Sequence, residues 1–240
     1  MSDPTASVAR MEAAKAGTHR IGTGGVGTGV IGTGVDASSA GDGNAAPVVA
    51  AGLTMGEDGL IRCAWADSTP EYRVYHDEEW GRSVRSDDGI YERMTLEAFQ
   101  SGLAWITILR KRPAFRAAFA DFSIARVATF DDADAARLLA DPGIVRNRAK
   151  IDAALHNARA ALDLPDGLAA LLWSYAPPGR SRRPRSGEVP STTPESTAMA
   201  KDLRKRGFRF VGPTTAYALM QATGMVDDHI DGCHVPPPRS

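Results

Sequence analysis

The stretch TPESTAMAKDLRKRGFRFVGPTTAYALMQATG, residues 193–224, predicts two helices joined by a short hairpin. Thr193 followed by Pro194 is typical of a helix N-cap and first turn, and Gly207 is expected to end that helix. The segment FRFVGP turns the chain, and PTTAYALMQATG predicts a second helix that ends at Gly224. The rest of the fold must accommodate this helical pair.

Helical patterns also fill most of the chain from about Leu60 to Val235. Asp87 or Asp88 is expected to cap one long helix, GIYERMTLEAFQSGLAWITILRKR, whose basic end suits the helix dipole. No run of alternating apolar and polar residues with hairpin turns occurs, so we predict an all-α fold. Further helices are predicted over residues 113–121, 131–140, 146–163 and 167–175.

The first part of the chain has a different composition. Its tract GTHRIGTGGVGTGVIGTGVDASSAGDGNAA is rich in Gly, Thr, Val and Ala, has no aromatic residue and shows no periodicity that could bury a core. The string GTGGVGTG has no strand before it and no helix after it, so it does not predict a dinucleotide site. We expect a disordered extension over 1–58 and one folded domain over 59–240.

Composition excludes several classes of protein. With 43% hydrophobic and 24% charged residues and no long apolar run, the sequence predicts a globular protein that does not cross a membrane. Two cysteines are too few for a disulfide framework, so a reducing, cytoplasmic setting is expected. The formal net charge is −1, yet residues 180–209 hold nine basic and three acidic side chains. That local excess is typical of one face that contacts a polyanion.

The two cysteines each lie near a histidine. Cys63 precedes His76 with twelve residues between them, and His229 precedes Cys233 with three between. Cys and His side chains in a set of four can bind zinc tetrahedrally. Spacing alone leaves the alternative open that these are buried cysteines and unrelated histidines, because Cys often acts as a small apolar residue.

A carboxylate falls on an apolar stripe of the predicted long helix. At 100° per residue, the side chains of Ile90, Met94, Glu97, Ser101 and Trp105 lie on one side of the helix. Glu97 and Trp105 could therefore line one pocket. Periodicity alone also fits a surface glutamate, and each aromatic residue alone fits a plain core position.

Four strings resemble the 3-methyladenine DNA glycosylase I family, in order across residues 61–234. They are RCAWADSTPEYRVYHDEEWG, LEAFQSGLAWITIL, DPGIVRNRAKI and RGFRFVGPTTAYALMQATGMVDDHIDGC. The resemblance implies an all-α helix-hairpin-helix DNA glycosylase with one structural zinc per chain that joins the two ends of the domain. It also implies excision of 3-methyladenine from alkylated double-stranded DNA by a monomer that acts on the bacterial nucleoid.

The resemblance also implies roles for particular residues. The zinc ligands are expected to be Cys63, His76, His229 and Cys233, while His234 is left out because adjacent residues rarely bind one ion. Glu97 is expected to recognise the extruded base, with base-pocket aromatic residues at Tyr75, Trp105, Tyr72 and Trp80.

The hairpin is the expected DNA contact. Backbone N–H groups that follow Gly212 can bind a phosphate, and the other expected DNA-binding residues are Thr214, Lys205, Arg206 and Arg209. The arginines from Arg180 to Arg185 are a less defined candidate. Asp227 and Asp228 are interpreted as loop acids. The hairpin contains no lysine, which favours hydrolysis of the glycosidic bond without cleavage of the DNA strand. The alternative function is a non-catalytic, zinc-stapled helix-hairpin-helix module that binds DNA.

Overall fold

The computed structural model describes residues 49–179 and 182–237, so most of the extension predicted over 1–58 lies outside the described residues. The described chain confirms the predicted helical fold. Its nine α-helices are α1 (Pro70–Glu78), α2 (Asp87–Gln100), α3 (Trp105–Ala118), α4 (Ile124–Val127), α5 (Asp132–Ala140), α6 (Arg148–Leu162), α7 (Gly167–Trp173), α8 (Pro194–Lys205) and α9 (Pro213–Ala222). Two short 3-10 turns cover Ala64–Ser68 and Ala120–Phe122.

A small β-hairpin precedes the helices, which the sequence did not predict. Strand β1 (Leu53–Met55) pairs antiparallel with β2 (Ile61–Cys63) and places Leu53 opposite Cys63. Strands of three residues are too short to show an alternating pattern. The domain boundary predicted between residues 58 and 59 falls in the turn of this hairpin.

The predicted N-cap of α2 was wrong by one residue. Ser86 caps the helix, and its hydroxyl oxygen accepts a hydrogen bond from the N–H of Gly89. Asp87 instead accepts from the N–H of Ala169 in α7, and Asp88 accepts from the N–H of Ile124 in α4. Because both acids satisfy the free N–H groups of other helices, they fix where α4 and α7 begin.

The long helix predicted from residue 89 to 112 is two helices. Helix α2 ends at Gln100, and α3 begins at Trp105. Helix α3 then continues through Pro113, so the helix predicted to begin there was also wrong. Pro113 is exposed, which leaves water available to the carbonyl group that its missing N–H would have bound.

The core holds the helical pair against the rest of the domain. Helix α9 packs against both α8 and α2. A cluster of stacked and edge-on rings fills the space next to α2 and α3, formed by Phe99, Phe115, Phe119 and Phe122. The hairpin between α8 and α9 therefore lies close to the helix that carries Glu97. Within the described residues, every helix is too short or too polar to span a bilayer.

Candidate functional site

Helix α1 presents three predicted site residues from one face. Thr69 caps the helix by accepting a hydrogen bond from the N–H of Tyr72, and Pro70 occupies the first turn. Tyr72, Tyr75 and His76 follow at helical spacing and are all buried. The same face therefore contributes both to the aromatic pocket and to the cysteine–histidine cluster.

A tight turn brings Glu97 and Trp105 together from different helices. The N–H of Leu103 donates to the carbonyl of Gln100 at 2.7 Å. Ser101 has φ −49° and ψ 116°, and Gly102 has φ +83°, which are the angles of a type II turn. Glycine suits the second position because its φ is positive. The helical-phase argument that paired Glu97 with Trp105 was thus wrong, since α2 does not extend to Trp105.

The surroundings of Glu97 are buried and aromatic. The Glu97 side chain is 2% exposed, and the rings of Tyr75 and Trp105 lie 5.4 Å apart at 48°. Burial raises the pKa of the Tyr75 phenol, and the negative charge of Glu97 raises it further. Among the described residues, the buried indole N–H of Trp105 has no hydrogen-bond acceptor. These residues therefore bring a carboxylate, a phenol and an indole donor into an apolar setting.

Tyr72 supports the pocket through the backbone. Its hydroxyl oxygen accepts a hydrogen bond from the N–H of Ile106 at 2.9 Å, which satisfies a free N–H group in the first turn of α3. Trp65, which the sequence reasoning missed, contacts Tyr72 edge-on at 5.7 Å and lies 6.4 Å from Tyr75. Its position within the first family string was the signal that could have identified it.

Trp80 lies with the histidines. Its ring is 4.7 Å from His229 and stacks on His76 at 6.3 Å, and Trp65 packs edge-on against it at 5.2 Å. The sequence analysis expected Trp80 in the wall of the base pocket. In the structure its ring contacts connect it to the cysteine–histidine cluster.

Three of the four predicted metal ligands converge. Donor atoms of Cys63, His76 and Cys233 lie within 4.8 Å of one another, and all three side chains are buried. The sulfur of Cys233 is 3.5 Å from Nε2 of His76. Hydrogen bonding with Cys63 lowers the pKa of the Cys233 thiol; burial opposes this shift and the contact with His76 adds to it. A thiolate is the form in which cysteine binds a metal.

His229, from the C-terminal segment, lies beside this cluster but outside the group whose donor atoms lie within 4.8 Å of one another. Its ring lies 4.9 Å from the ring of His76, and its Nε2 is buried without a hydrogen-bond partner among the described residues. A buried ring nitrogen with no partner is costly unless something binds it. Gly81 makes room for the ring, because a Cβ atom there would lie 2.8 Å from Cε1 of His229.

Two aspartates orient the histidines. Nδ1 of His76 is 2.8 Å from Asp77, and Nδ1 of His229 is 2.8 Å from Asp227. When Nδ1 donates to a carboxylate, the Nε2 lone pair is left for a metal, as in many metal sites. Nε2 of His234 also lies 3.0 Å from Asp77, and His76, Asp77 and His234 form a second group whose donor atoms lie within 4.8 Å of one another.

Arg62 balances the charge of Asp77. The Arg62 side chain is 2% exposed and binds the carboxylates of both Asp58 and Asp77. Burial raises the pKa of Asp77, but hydrogen bonds from Arg62, His76 and His234 outweigh it, so that the pKa lies well below its usual range. Asp77 therefore stays ionised as a fixed acceptor for the histidines.

The hairpin between α8 and α9 is basic at its surface. Gly212 is the N-cap of α9, and no side chain caps the N–H groups that follow it, while Pro213 occupies the first turn. The other residues expected to bind DNA are Thr214, which is half-buried, and Lys205, Arg206 and Arg209, which are exposed. Arg206 pairs with Asp202. The hairpin thus offers free N–H groups beside positive charge.

The acids after α9 and one of the loop arginines have structural partners. Arg183 pairs with Asp227 and donates to the carbonyl of Cys233. Asp228 is buried and accepts hydrogen bonds from Tyr217 and Gln221 of α9. Of the arginines predicted as a possible DNA contact, Arg180 lies outside the described residues.

These parts together define a class of protein. A helical domain that places a buried carboxylate among aromatic rings, and a basic turn between two helices that pack together, has the parts that a DNA glycosylase needs.

Comparison with known proteins identifies the family. The sequence model of the methyladenine glycosylase family matches residues 65–236. DNA-3-methyladenine glycosylase 1 of Escherichia coli K12 is 41% identical over 72% of this chain and 96% of its own length. DNA-3-methyladenine glycosylase of Haemophilus influenzae is 38% identical over the same shares. A Staphylococcus aureus structure described as the basis of 3-methyladenine recognition by 3-methyladenine DNA glycosylase I superposes with a TM-score of 0.71 at 31% identity, covering 75% of this chain and 98% of the other. The chain belongs to the methyladenine glycosylase family.

The close approach of Gly81 to His229 predicts a specific loss of stability. Gly81 has φ +75°, and Gly59 has φ +76° with no atom within 4 Å of an added Cβ. Gly59→Ala should lower the free energy of unfolding by about 1–2 kcal/mol, because alanine disfavours the left-handed backbone. Gly81→Ala should lower the free energy of unfolding by about 1–3 kcal/mol more than Gly59→Ala does, because its methyl group collides with the His229 ring. Thermal unfolding of both variants measures the difference; equal shifts would show that the ring moves aside freely.

Proposed function

We propose that this chain is a DNA-3-methyladenine glycosylase of base-excision repair. It hydrolyses the N-glycosidic bond of 3-methyladenine in alkylated DNA and leaves an abasic site. The observation that carries the proposal is the Glu97 carboxylate, 2% exposed beside the Tyr75 and Trp105 rings, in a chain of this family. A base excised from DNA must leave the helical stack and enter a pocket of this kind.

Glu97 recognises the extruded base in this proposal. A carboxylate accepts hydrogen bonds from an exocyclic amino group and favours a cation over a neutral base. Methylation at N3 makes the adenine of the nucleotide cationic, whereas an undamaged purine is neutral. In an apolar pocket this difference is larger than in water, because the charges are poorly screened. Tyr75 and Trp105 stack on the base, and Tyr72 holds the first turn of α3, where Trp105 begins.

The chemistry needs little acid catalysis. The glycosidic bond to a cationic base is already weakened, so the base can leave without a proton donor at the leaving group. Asp227 and Asp228 have structural partners, which supports interpreting them as loop acids. The hairpin GFRFVGPTT contains no lysine that could form a Schiff base, so water captures the sugar. The product is an intact strand with an abasic site.

The four-residue cluster is proposed to bind one structural zinc ion. Two thiols and two imidazoles are the donor set of closed zinc sites, with Cys63 and His76 from one end of the domain and His229 and Cys233 from the other. The buried Nε2 of His229 and the aspartates at both Nδ1 atoms fit such an ion. When bound, the ion supplies a cross-link between the two ends, and four protein ligands leave no position for a reacting water.

The hairpin is proposed to hold the DNA backbone. The N–H groups that follow Gly212 bind a phosphate, and Thr214, Lys205, Arg206 and Arg209 add a polar and positive surface. We propose that the protein acts as a monomer on double-stranded DNA in the cytoplasm, where Cys63 and Cys233 stay reduced. The domain boundary between residues 58 and 59 remains part of this proposal.

Removal of the cysteines should remove the metal. Elemental analysis of protein prepared without chelator should find one zinc per chain, and Cys63→Ser/Cys233→Ser should bind none and unfold at a lower temperature. The matched control is His234→Asn, which changes a histidine of the same segment outside the proposed ligand set and should keep the zinc. Zinc retained in the double variant, or lost in the control, contradicts the assignment.

Glu97→Gln should lose base excision while the fold and the metal content stay unchanged. Loss of one charge-assisted contact predicts a decrease of roughly 10- to 100-fold in single-turnover excision. Glu78→Gln, at an exposed carboxylate of α1, is the control and should keep full activity. If Glu97→Gln excises as fast as wild type, the carboxylate does not recognise the base.

The reaction type is tested with methylated duplex DNA. Purified protein should release free 3-methyladenine and leave the strand uncut until alkali or an abasic endonuclease is added. No protein–DNA adduct should be trapped by borohydride, and activity should fall steeply as salt increases. A trapped adduct would overturn the hydrolytic mechanism. DNA binding without release of base would favour the non-catalytic DNA-binding module.

A further inference from the structure

Helix α6 (Arg148–Leu162) contacts the backbone of two segments that border one cleft. The first segment is the 101–104 turn between α2 and α3, and the second is the 207–212 hairpin between α8 and α9. Ser101 from the turn and residues 208–212 from the hairpin line the same open cleft of about 520 Å³, together with Arg204 and Thr215. We call these two segments the turn lip and the hairpin lip.

Lys150 holds the turn lip. Its side chain is buried, and its amino group donates to the carbonyls of Phe99 and Ser101 at 2.9 and 2.6 Å. These carbonyls belong to the end of α2, where intrahelical donors are lacking. A buried ammonium group is costly unless it is fully hydrogen-bonded. Lys150 therefore fixes the point at which the chain leaves the helix of Glu97 and turns towards Trp105.

Asn157 holds the hairpin lip. It is 2% exposed, its amide nitrogen donates to the carbonyl of Arg209, and its amide oxygen accepts from the N–H of Arg209. The neighbouring His156 has Nε2 3.0 Å from the carbonyl of Gly207. A two-point contact with one backbone unit fixes both its position and its orientation.

The spacing on α6 sets the distance between the two lips. Lys150 and Asn157 are seven residues apart, so they lie within about 20° of one another around the helix and about 10 Å apart along it. A rigid helix therefore keeps the two backbone contacts in constant register. Both contacts are made by buried side chains that each form two hydrogen bonds to the backbone.

We propose that Lys150 and Asn157 are positioning residues, through which α6 holds the DNA-binding hairpin at a constant distance from the base pocket. The inference rests on the function proposed above. A nucleotide whose phosphate lies at the hairpin lip must reach the pocket beside the turn lip with its base. A constant distance between the lips lets one nucleotide satisfy both sites, which lowers the cost of orienting it.

The test separates the two lips. Asn157→Leu should weaken binding of duplex DNA that carries an abasic-site analogue by roughly fivefold or more, because two hydrogen bonds are lost. The same variant should bind free 3-methyladenine with an affinity within about twofold of wild type. Lys150→Met should weaken free-base binding and lower kcat by a similar factor, with less effect on DNA binding. Lys111→Met is the matched control, since Lys111 also donates to two carbonyls, those of Pro142 and Gly143, away from the cleft.

Amide hydrogen exchange gives a readout that does not depend on catalysis. Asn157→Leu should speed exchange in residues 207–212, and Lys150→Met should do so in residues 101–104. If Asn157→Leu does not fold, Asn157→Asp keeps the acceptor for the Arg209 N–H and should shift the same properties by less. Parallel loss of DNA and base binding in both variants, or behaviour like that of Lys111→Met, would overturn the inference. Wild-type protein that releases no base would instead refute the proposed function, while the exchange pattern would still test the two contacts.

Discussion

The fold depends on the meeting of its two ends at helix α1. The carbonyl of Ile61 accepts a hydrogen bond from the N–H of His234, and the N–H of Ile230 donates to the sulfur of Cys63. His76 of α1 lies between these segments and contacts Cys233. The same helix carries Tyr72 and Tyr75 into the aromatic pocket, and Trp65 packs against both tyrosines and His76. The pocket wall is therefore attached to the junction of the ends, so that loosening the junction loosens the wall.

Three arginines inside the domain differ from two basic side chains at the hairpin surface in whether they are paired with carboxylates. Arg62 and Arg112 are held by carboxylates inside the domain, and Arg183 binds Asp227 beside the cluster. These pairs neutralise positive charge inside the domain. Lys205 and Arg209 remain exposed at the hairpin and form no salt bridge within the part of the chain that the structure describes. A chain with a net charge of −1 can thus keep one basic surface for a polyanion.

Local signals predicted much of the fold. The caps at Thr193 and Gly224 and the hairpin between α8 and α9 depend on neighbouring residues, and the structure confirms them within one or two positions. The break at Gly102 was missed because apolar spacing continues across the turn. Asp87 and Asp88 were misassigned because their partners, Ala169 and Ile124, are distant in sequence. The convergence of Cys63, His76 and Cys233 was anticipated from the family strings, since spacing alone left it open.

The turn at residues 100–103 shows why the site needs tertiary structure. A continuous helix would place Glu97 and Trp105 on one stripe, both facing the same neighbour, with no enclosed space between them. Ending α2 at Gln100 lets Trp105 begin a new helix and approach Tyr75 from another direction. Such a break leaves carbonyl groups at the end of α2 and N–H groups at the start of α3 without helical partners. Lys150 satisfies the carbonyls of Phe99 and Ser101, and Tyr72 satisfies the N–H of Ile106. The different directions of α2 and α3 are therefore stabilised by Gly102 in the turn and by two side chains from other helices.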